Sequence, residues 1–159
     1  MIIACEKHPI FDHITENIFL GDVVAASNIE LLNKNNIEIV ISLIYEKYEK
    51  DLKIKYYEFP INDNRNEDIS IHFEEINKII GENKNKNILI HCQNAVSRSV
   101  AIVLAYLMSQ KINLKNALNL IKSKRNTFTR PNIGFAKKLL IYEKNILGEN
   151  SLLIQDIIN

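Results

Sequence analysis

Asn87-Ile88-Leu89-Ile90-His91-Cys92-Gln93-Asn94-Ala95-Val96-Ser97-Arg98-Ser99-Val100-Ala101-Ile102-Val103-Leu104 is the stretch that decides the fold. Its first part, up to His91, is short, apolar and β-branched, which predicts a strand buried on both faces and ending at Cys92. From about Arg98 to Ser109 the chain is apolar on every side, with Val100, Val103, Leu104 and Leu107 among its residues, so it predicts a helix inside the domain rather than on its surface. A doubly buried strand that runs through a short polar loop into a doubly buried helix needs neighbours on all sides. Layers of sheet and helix provide them.

The flanking sequence supplies those layers. Ile18-Phe19-Leu20 before Gly21-Asp22 reads as a short strand, and Ser27 or Asn28 could cap a helix carrying Ile29, Leu31 and Leu32. Ile37 to Leu43 is β-branched and too apolar for a surface strand, whereas Lys53 to Phe59 alternates as an outer strand does. After a loop from Pro60 to Glu67, Asp68 is placed to cap a helix whose Ile69, Phe73, Ile76 and Ile80 follow at helical spacing until Gly81. Two more helices follow. Asn113 precedes one marked by Leu114, Ala117, Leu118 and Ile121, and Ala136, Leu139, Leu140 and Leu147 mark the other. The alternation predicts an α/β domain with helices on both sides of its sheet.

Composition narrows the function classes. At 159 residues, with 47% hydrophobic and 25% charged, the chain has the size and balance of one soluble domain. Its longest apolar run, Val100 to Met108, is too short for a bilayer, and no early basic-then-apolar stretch resembles a secretory signal. A formal net charge of +1 gives no overall field to draw nucleic acid or an anionic membrane, so neither is expected as a partner. Cys5 and Cys92 form no disulfide framework and no four-cysteine zinc site, which points to a reducing, cytoplasmic setting with free thiols. A Cys5–Cys92 disulfide that protects the second thiol from overoxidation is the rival arrangement.

The loop between the buried strand and the buried helix carries the chemistry. A chain turning from a strand end into a helix start leaves several backbone N–H groups facing one concavity, at the positive end of the helix dipole. Phosphate suits such a place. The same N–H groups and the nearby Arg98 guanidinium would hold Cys92 as the nucleophilic thiolate. Arg98 could grip two phosphate oxygens through its planar fork, and Ser99 could hydrogen-bond the sulfur and ease its departure. Gln93, Asn94, Ala95, Val96, Ser97 and Arg98 are therefore the candidate phosphate-binding residues.

The order His91-Cys92, five residues, then Arg98-Ser99 resembles the signature of the protein tyrosine phosphatase superfamily. Further segments resemble its dual-specificity branch and extend the likeness over most of the chain. Asn17-Ile18-Phe19-Leu20-Gly21 looks like the opening strand and turn, Phe59-Pro60-Ile61-Asn62-Asp63-Asn64 like the general-acid loop, and Ala105-Tyr106-Leu107-Met108 like part of the helix after the loop. Arg130-Pro131-Asn132 with Phe135 resembles the later Pro-Asn segment. The resemblance implies a three-layer α/β/α domain with a mostly parallel, mixed central sheet of about five strands. It would span residues 1–159, with a core at about 12–148 and a tail at 149–159.

The resemblance also implies two-step hydrolysis of phosphate monoesters on protein tyrosine, and on serine or threonine, through a cysteinyl-phosphate. Cys92 would be the nucleophile, Arg98 the charge stabiliser, Asp63 the acid and then the base, and Ser99 the partner of the leaving thiolate. His91 and Asn132 would support the loop. No metal or cofactor is needed. Asp68 is the rival acid, although its place before an apolar helix makes it a cap.

Arg65, Arg125 and Arg130 sit in polar runs and read as solvated. Where the family has glycine three residues after the nucleophile, this chain has Ala95, and a left-handed backbone there would cost about 1 kcal/mol. That substitution motivates a different class of function, a pseudophosphatase that binds phosphorylated partners without turnover. Phosphatases of RNA 5′-phosphates or phosphoinositides are a further alternative, disfavoured by the uncharged Gln93 to Val96. The expected partner is a phosphorylated protein. Ser151 to Ile158 is apolar for a tail and either packs back on its own domain or makes a partner or homodimer contact.

Overall fold

The computed structural model describes residues 7–159. Cys5, and with it the disulfide considered for Cys5 and Cys92, lies outside the described residues. Five strands make one sheet: β1 (Phe11–His13), β2 (Ile18–Gly21), β3 (Ile37–Ser42), β4 (Lys55–Glu58) and β5 (Asn87–His91). Their spatial order is β1-β2-β5-β3-β4, with only β1 and β2 antiparallel. The sheet is thus mixed and mostly parallel, as the sequence implies. β5 lies between β2 and β3, and Ile90 stands beside Leu20 on one side and Ile41 on the other.

Side chains of β5 alternate between two cores, as a strand covered on both faces requires. Ile88 and Ile90 enter a large core with Ile18, Leu20, Ile39 and Ile41, while Leu89 enters a smaller one with Phe19, Ile37 and Val40. An irregularity in register between Ile37 and Ile39 lets two isoleucines only two positions apart serve opposite cores. The small core is closed by Ala26 of α1 (Val23–Ala26) and Leu32 of α2 (Ile29–Lys34). Four helices cover the large one: α3 (Phe73–Gly81), α4 (Arg98–Ser109), α5 (Leu114–Ser123) and α6 (Ile133–Leu147). α4 is buried without interruption from Ser99 to Met108, which is why it carries no polar face.

Asparagine caps fix where helices begin. Asn28 accepts from the Leu31 N–H, which settles the Ser27 or Asn28 alternative, and Asn113 accepts from the Asn116 N–H. Asp68 caps a short 3-10 turn, Ile69–His72, that leads into α3. Three elements carry no clear sequence signal: β1, α1 and the tail helix α7 (Ile154–Ile158). α6 stops at Gly148 in the left-handed region (φ 88°), and the chain then doubles back. The tail packs on its own domain, with Ile157 fully buried in the large core. Among the described residues, no helix is long and apolar enough to cross a membrane.

Glu143 of α6 ties the return together. Its fully buried carboxylate accepts from the Leu114 N–H at 2.8 Å, the Ser151 N–H at 3.1 Å and the Ser151 hydroxyl. Replacing it by alanine removes the acceptor of buried donors on two segments. Glu143→Ala is expected to cost about 2–3 kcal/mol in urea denaturation, and Glu143→Gln, which keeps an acceptor, less.

Candidate active site

The strand-to-helix loop, residues 92–97, is held by its carbonyls. The Gln93 carbonyl accepts from the Val23 N–H at 3.3 Å, the Val96 carbonyl from the Arg130 N–H at 2.9 Å, and the Ala95 carbonyl from Arg125 Nη1 at 2.7 Å. No backbone N–H of residues 93–98 donates to any described residue. In a planar trans peptide the C=O and the following N–H point opposite ways, and no peptide among the described residues is cis. Anchoring the carbonyls of residues 93, 95 and 96 outward therefore turns the N–H groups of Asn94, Val96 and Ser97 inward. These donors and the start of α4 make an anion cradle.

Ala95 adopts a left-handed backbone, φ 57°, and is completely buried. The strain expected for alanine at this position is present, at about 1 kcal/mol. The loop nevertheless keeps the shape that turns its amides inward, because the surrounding anchors over-determine it.

The candidate side chains gather around this cradle. Cys92 is 2% exposed, and its Sγ lies 3.1 Å from Ser99 Oγ. Arg98 donates from Nη1 to the Ile61 carbonyl at 2.9 Å, while its buried Nε has no partner among the described residues. One arm of the guanidinium is thus committed to the 60–67 loop, and the Nε edge remains for an anion. Asp63, in that loop, is exposed and lines a cavity of about 480 Å³ with Val96, Ser97, Arg130 and Asn132.

Asn132 joins these parts. Its backbone N–H donates to Ser97 Oγ at 2.9 Å, its Oδ1 caps α6 by accepting from the Phe135 N–H, and its Nδ2 donates to Asp63 Oδ1 at 2.8 Å. The side chain read as support for the loop also reaches the carboxylate read as the acid. Gly134, two residues on, lets the 60–67 loop come this close, since a Cβ there would stand 2.0 Å from the Arg65 carbonyl oxygen. Asp68 is employed elsewhere. It caps Ser70 and pairs with Lys138, and its hydrogen bond from the Ser70 side chain holds its carboxyl below the usual range.

Two residues here were not singled out in the sequence as site residues. Tyr48 places its hydroxyl 2.7 Å from His91 Nε2, and His91 Nδ1 lies 3.1 Å from the Cys92 carbonyl. Burial raises the Tyr48 phenol to about 12, so it stays protonated and donates to Nε2, leaving the Nδ1–H for the carbonyl. Its setting in Tyr45-Glu46-Lys47-Tyr48-Glu49-Lys50 gives no pattern that would reveal this. The second is Arg125, whose solvated reading is corrected. Its side chain is fully buried, because Asp12 pairs with its Nε at 3.0 Å and the Ala95 carbonyl takes Nη1. Arg65 and Arg130 are exposed, as expected.

Burial pushes His91 down to about 4, with Arg98 adding to the shift, so the imidazole is neutral at pH 7. Its folded value lies below the ordinary 6.5, so the unfolded chain binds the proton first, and stability falls as pH drops from about 6.5 towards 4. From the two values, the loss attributable to His91 is about 2 kcal/mol between pH 7 and pH 5. Urea denaturation at both pH values is expected to show this loss in the native chain and a correspondingly smaller one in His91→Gln. An equal loss in both would contradict it.

Comparisons with known proteins bear on the family and the fold. The family model described as dual specificity phosphatase, catalytic domain, matches residues 18–145. The chain is 32% identical over 135 residues to dual specificity protein phosphatase Mpk3 of Drosophila melanogaster, an alignment covering 81% of this chain and 33% of that protein. It is 36% identical over 146 residues to human dual specificity protein phosphatase 18, covering 87% of this chain and 76% of the relative. Its fold superposes with TM-score 0.82 on a mouse dual specificity phosphatase crystallised with zinc tungstate, at 26% identity, covering 96% of this chain and 94% of the other. The chain thus spans only about a third of the fly protein's length.

Proposed function

The chain belongs to the dual specificity phosphatase family, and from that premise we propose that it hydrolyses phosphate monoesters on protein tyrosine, and on serine or threonine, through a cysteinyl-phosphate. The observation that carries the reading is the 92–98 segment, where loop carbonyls are held outward, the amides of residues 93–98 and Arg98 Nε have no acceptor among the described residues, and the Cys92 thiol opens the turn.

In the first step the Cys92 thiolate attacks phosphorus, forming the S–P bond as the P–O bond to the substrate oxygen breaks. The amides and Arg98 hold the equatorial oxygens, where negative charge accumulates. Asp63 gives its proton to the leaving oxygen. In the second step water attacks phosphorus, Asp63 takes the water's proton, and the S–P bond breaks, with the Ser99 hydroxyl donating to the departing thiolate. Asn132 keeps Asp63 in place, and neutral His91 fixes the end of β5 without exchanging protons. The loop itself, Gln93 to Val96, carries no charged side chain, which favours protein phosphoesters over polyanionic substrates.

The pseudophosphatase alternative is motivated by the strain at Ala95, and against it the loop keeps its anchored shape with that alanine left-handed. Residues 12–148 serve as the catalytic core, with 149–159 as a tail packed on its own domain. The reading places the protein in the cytoplasm, where Cys92 stays reduced.

The test is hydrolysis of a small aryl phosphate at mildly acidic and neutral pH by the native chain, Cys92→Ser and Asp63→Asn. Cys92→Ser is expected to abolish turnover. Asp63→Asn is expected to lower it about 10²–10⁴-fold for poor leaving groups. Native-level turnover in Cys92→Ser, or none in the native chain, would overturn the mechanism.

A further inference from the structure

Past the Cys92 carbonyl, which faces the adjacent His91 imidazole, the Gln93 and Val96 carbonyls are held by backbone N–H groups and the Ala95 carbonyl by a side chain from a distant segment. The exception falls on the strained residue. Arg125 Nη1 donates to the Ala95 carbonyl at 2.7 Å and to Thr129 Oγ1 at 3.4 Å, and its Nε donates to Asp12 Oδ2 at 3.0 Å. Its side chain is 0% exposed and that of Asp12 19%, so this is a charge pair mostly withdrawn from water. Arg125 Nη2 is buried without a partner among the described residues.

Burying a guanidinium is costly, and a methionine or leucine would fill the same space without that cost. What the guanidinium alone supplies is two donor directions at a fixed angle, one to the carboxylate on β1 and one to the loop carbonyl. Because the Ala95–Val96 peptide is trans, pulling its carbonyl towards Arg125 aims the Val96 N–H the opposite way, into the cradle. Glycine at position 95 would hold this orientation without strain, whereas alanine needs an external hold.

We propose that Arg125, braced by Asp12, is a positioning residue for the phosphate site, fixing the Ala95–Val96 peptide so that the left-handed alanine does not release it. This inference rests on the phosphatase reading, since it names what shapes that reading's anion site. The two can fail separately.

The experiment compares Arg125→Met, Ala95→Gly and the double substitution in the full chain. Equilibrium binding of inorganic phosphate is measured by calorimetry, and kcat/KM with a small aryl phosphate. Arg125→Met is expected to weaken phosphate binding at least tenfold and to lower kcat/KM at least as much. Ala95→Gly is expected to recover threefold or more of that loss in the Arg125→Met background, and to bring a smaller gain where Arg125 is present.

Phosphate binding within twofold of native in folded Arg125→Met would overturn the proposal, even if its melting temperature fell. So would an equal effect of Ala95→Gly in both backgrounds. If Arg125→Met does not fold, Asp12→Asn removes the brace and keeps the guanidinium. A threefold or greater loss of phosphate binding then supports the proposal, and an unchanged constant overturns it. A native chain that binds phosphate without hydrolysing it overturns the phosphatase reading and leaves this test intact. One that binds no phosphate overturns both.

Discussion

Six residues, 92–97, separate the end of β5 from the start of α4, and both elements are buried. The reversal between them has no slack at either end, so its peptide planes are set by what holds their carbonyls. Each outward carbonyl commits an inward N–H, because a trans peptide is one rigid plane. The anchors come from distant parts of the chain: Val23 at the start of α1, Arg125 after α5, and Arg130 before α6. The helices around the sheet are thus also the parts that shape the site.

The second organising feature is how the 60–67 loop meets this turn. Arg98 reaches the Ile61 carbonyl, and Asn132 bridges Asp63, the α6 N-terminus and, through its backbone, Ser97. One hydrogen bond thus joins the Arg98 guanidinium to the loop that carries the proposed acid, Asp63. Beneath the cradle, burial keeps His91 neutral and Tyr48 protonated, so each has one defined hydrogen-bonding direction. The end of β5 is fixed by polar groups that carry no charge at neutral pH.

Much of this was legible in the sequence because local pattern and burial coincide there. Ile88 to Ile90 are β-branched or apolar and lie between two strands. The uninterrupted apolar run after Ser99 maps onto a helix with no exposed face. Asn113 and Asp68 announce helix starts because each stands just before an apolar helical run. β1 and α1 were not legible because three or four residues are too few to display a period. Arg125 was misread for a different reason. It stands in Lys122-Ser123-Lys124-Arg125-Asn126, and what buries it is Asp12, 113 positions away, together with a carbonyl, which has no sequence signature. Tyr48 and the close approach of Gly134 to Arg65 are likewise products of the assembled fold.

The central claim is that outward-held carbonyls aim the loop amides at a phosphate oxygen. A crystal structure of the Cys92→Ser chain soaked with inorganic phosphate tests it most directly. The account predicts phosphate oxygens about 3 Å from the N–H groups of Asn94, Val96 and Ser97 and from Arg98 Nε, with Ala95 still left-handed. An anion bound elsewhere, or an Ala95 carbonyl turned into the cradle, would contradict it.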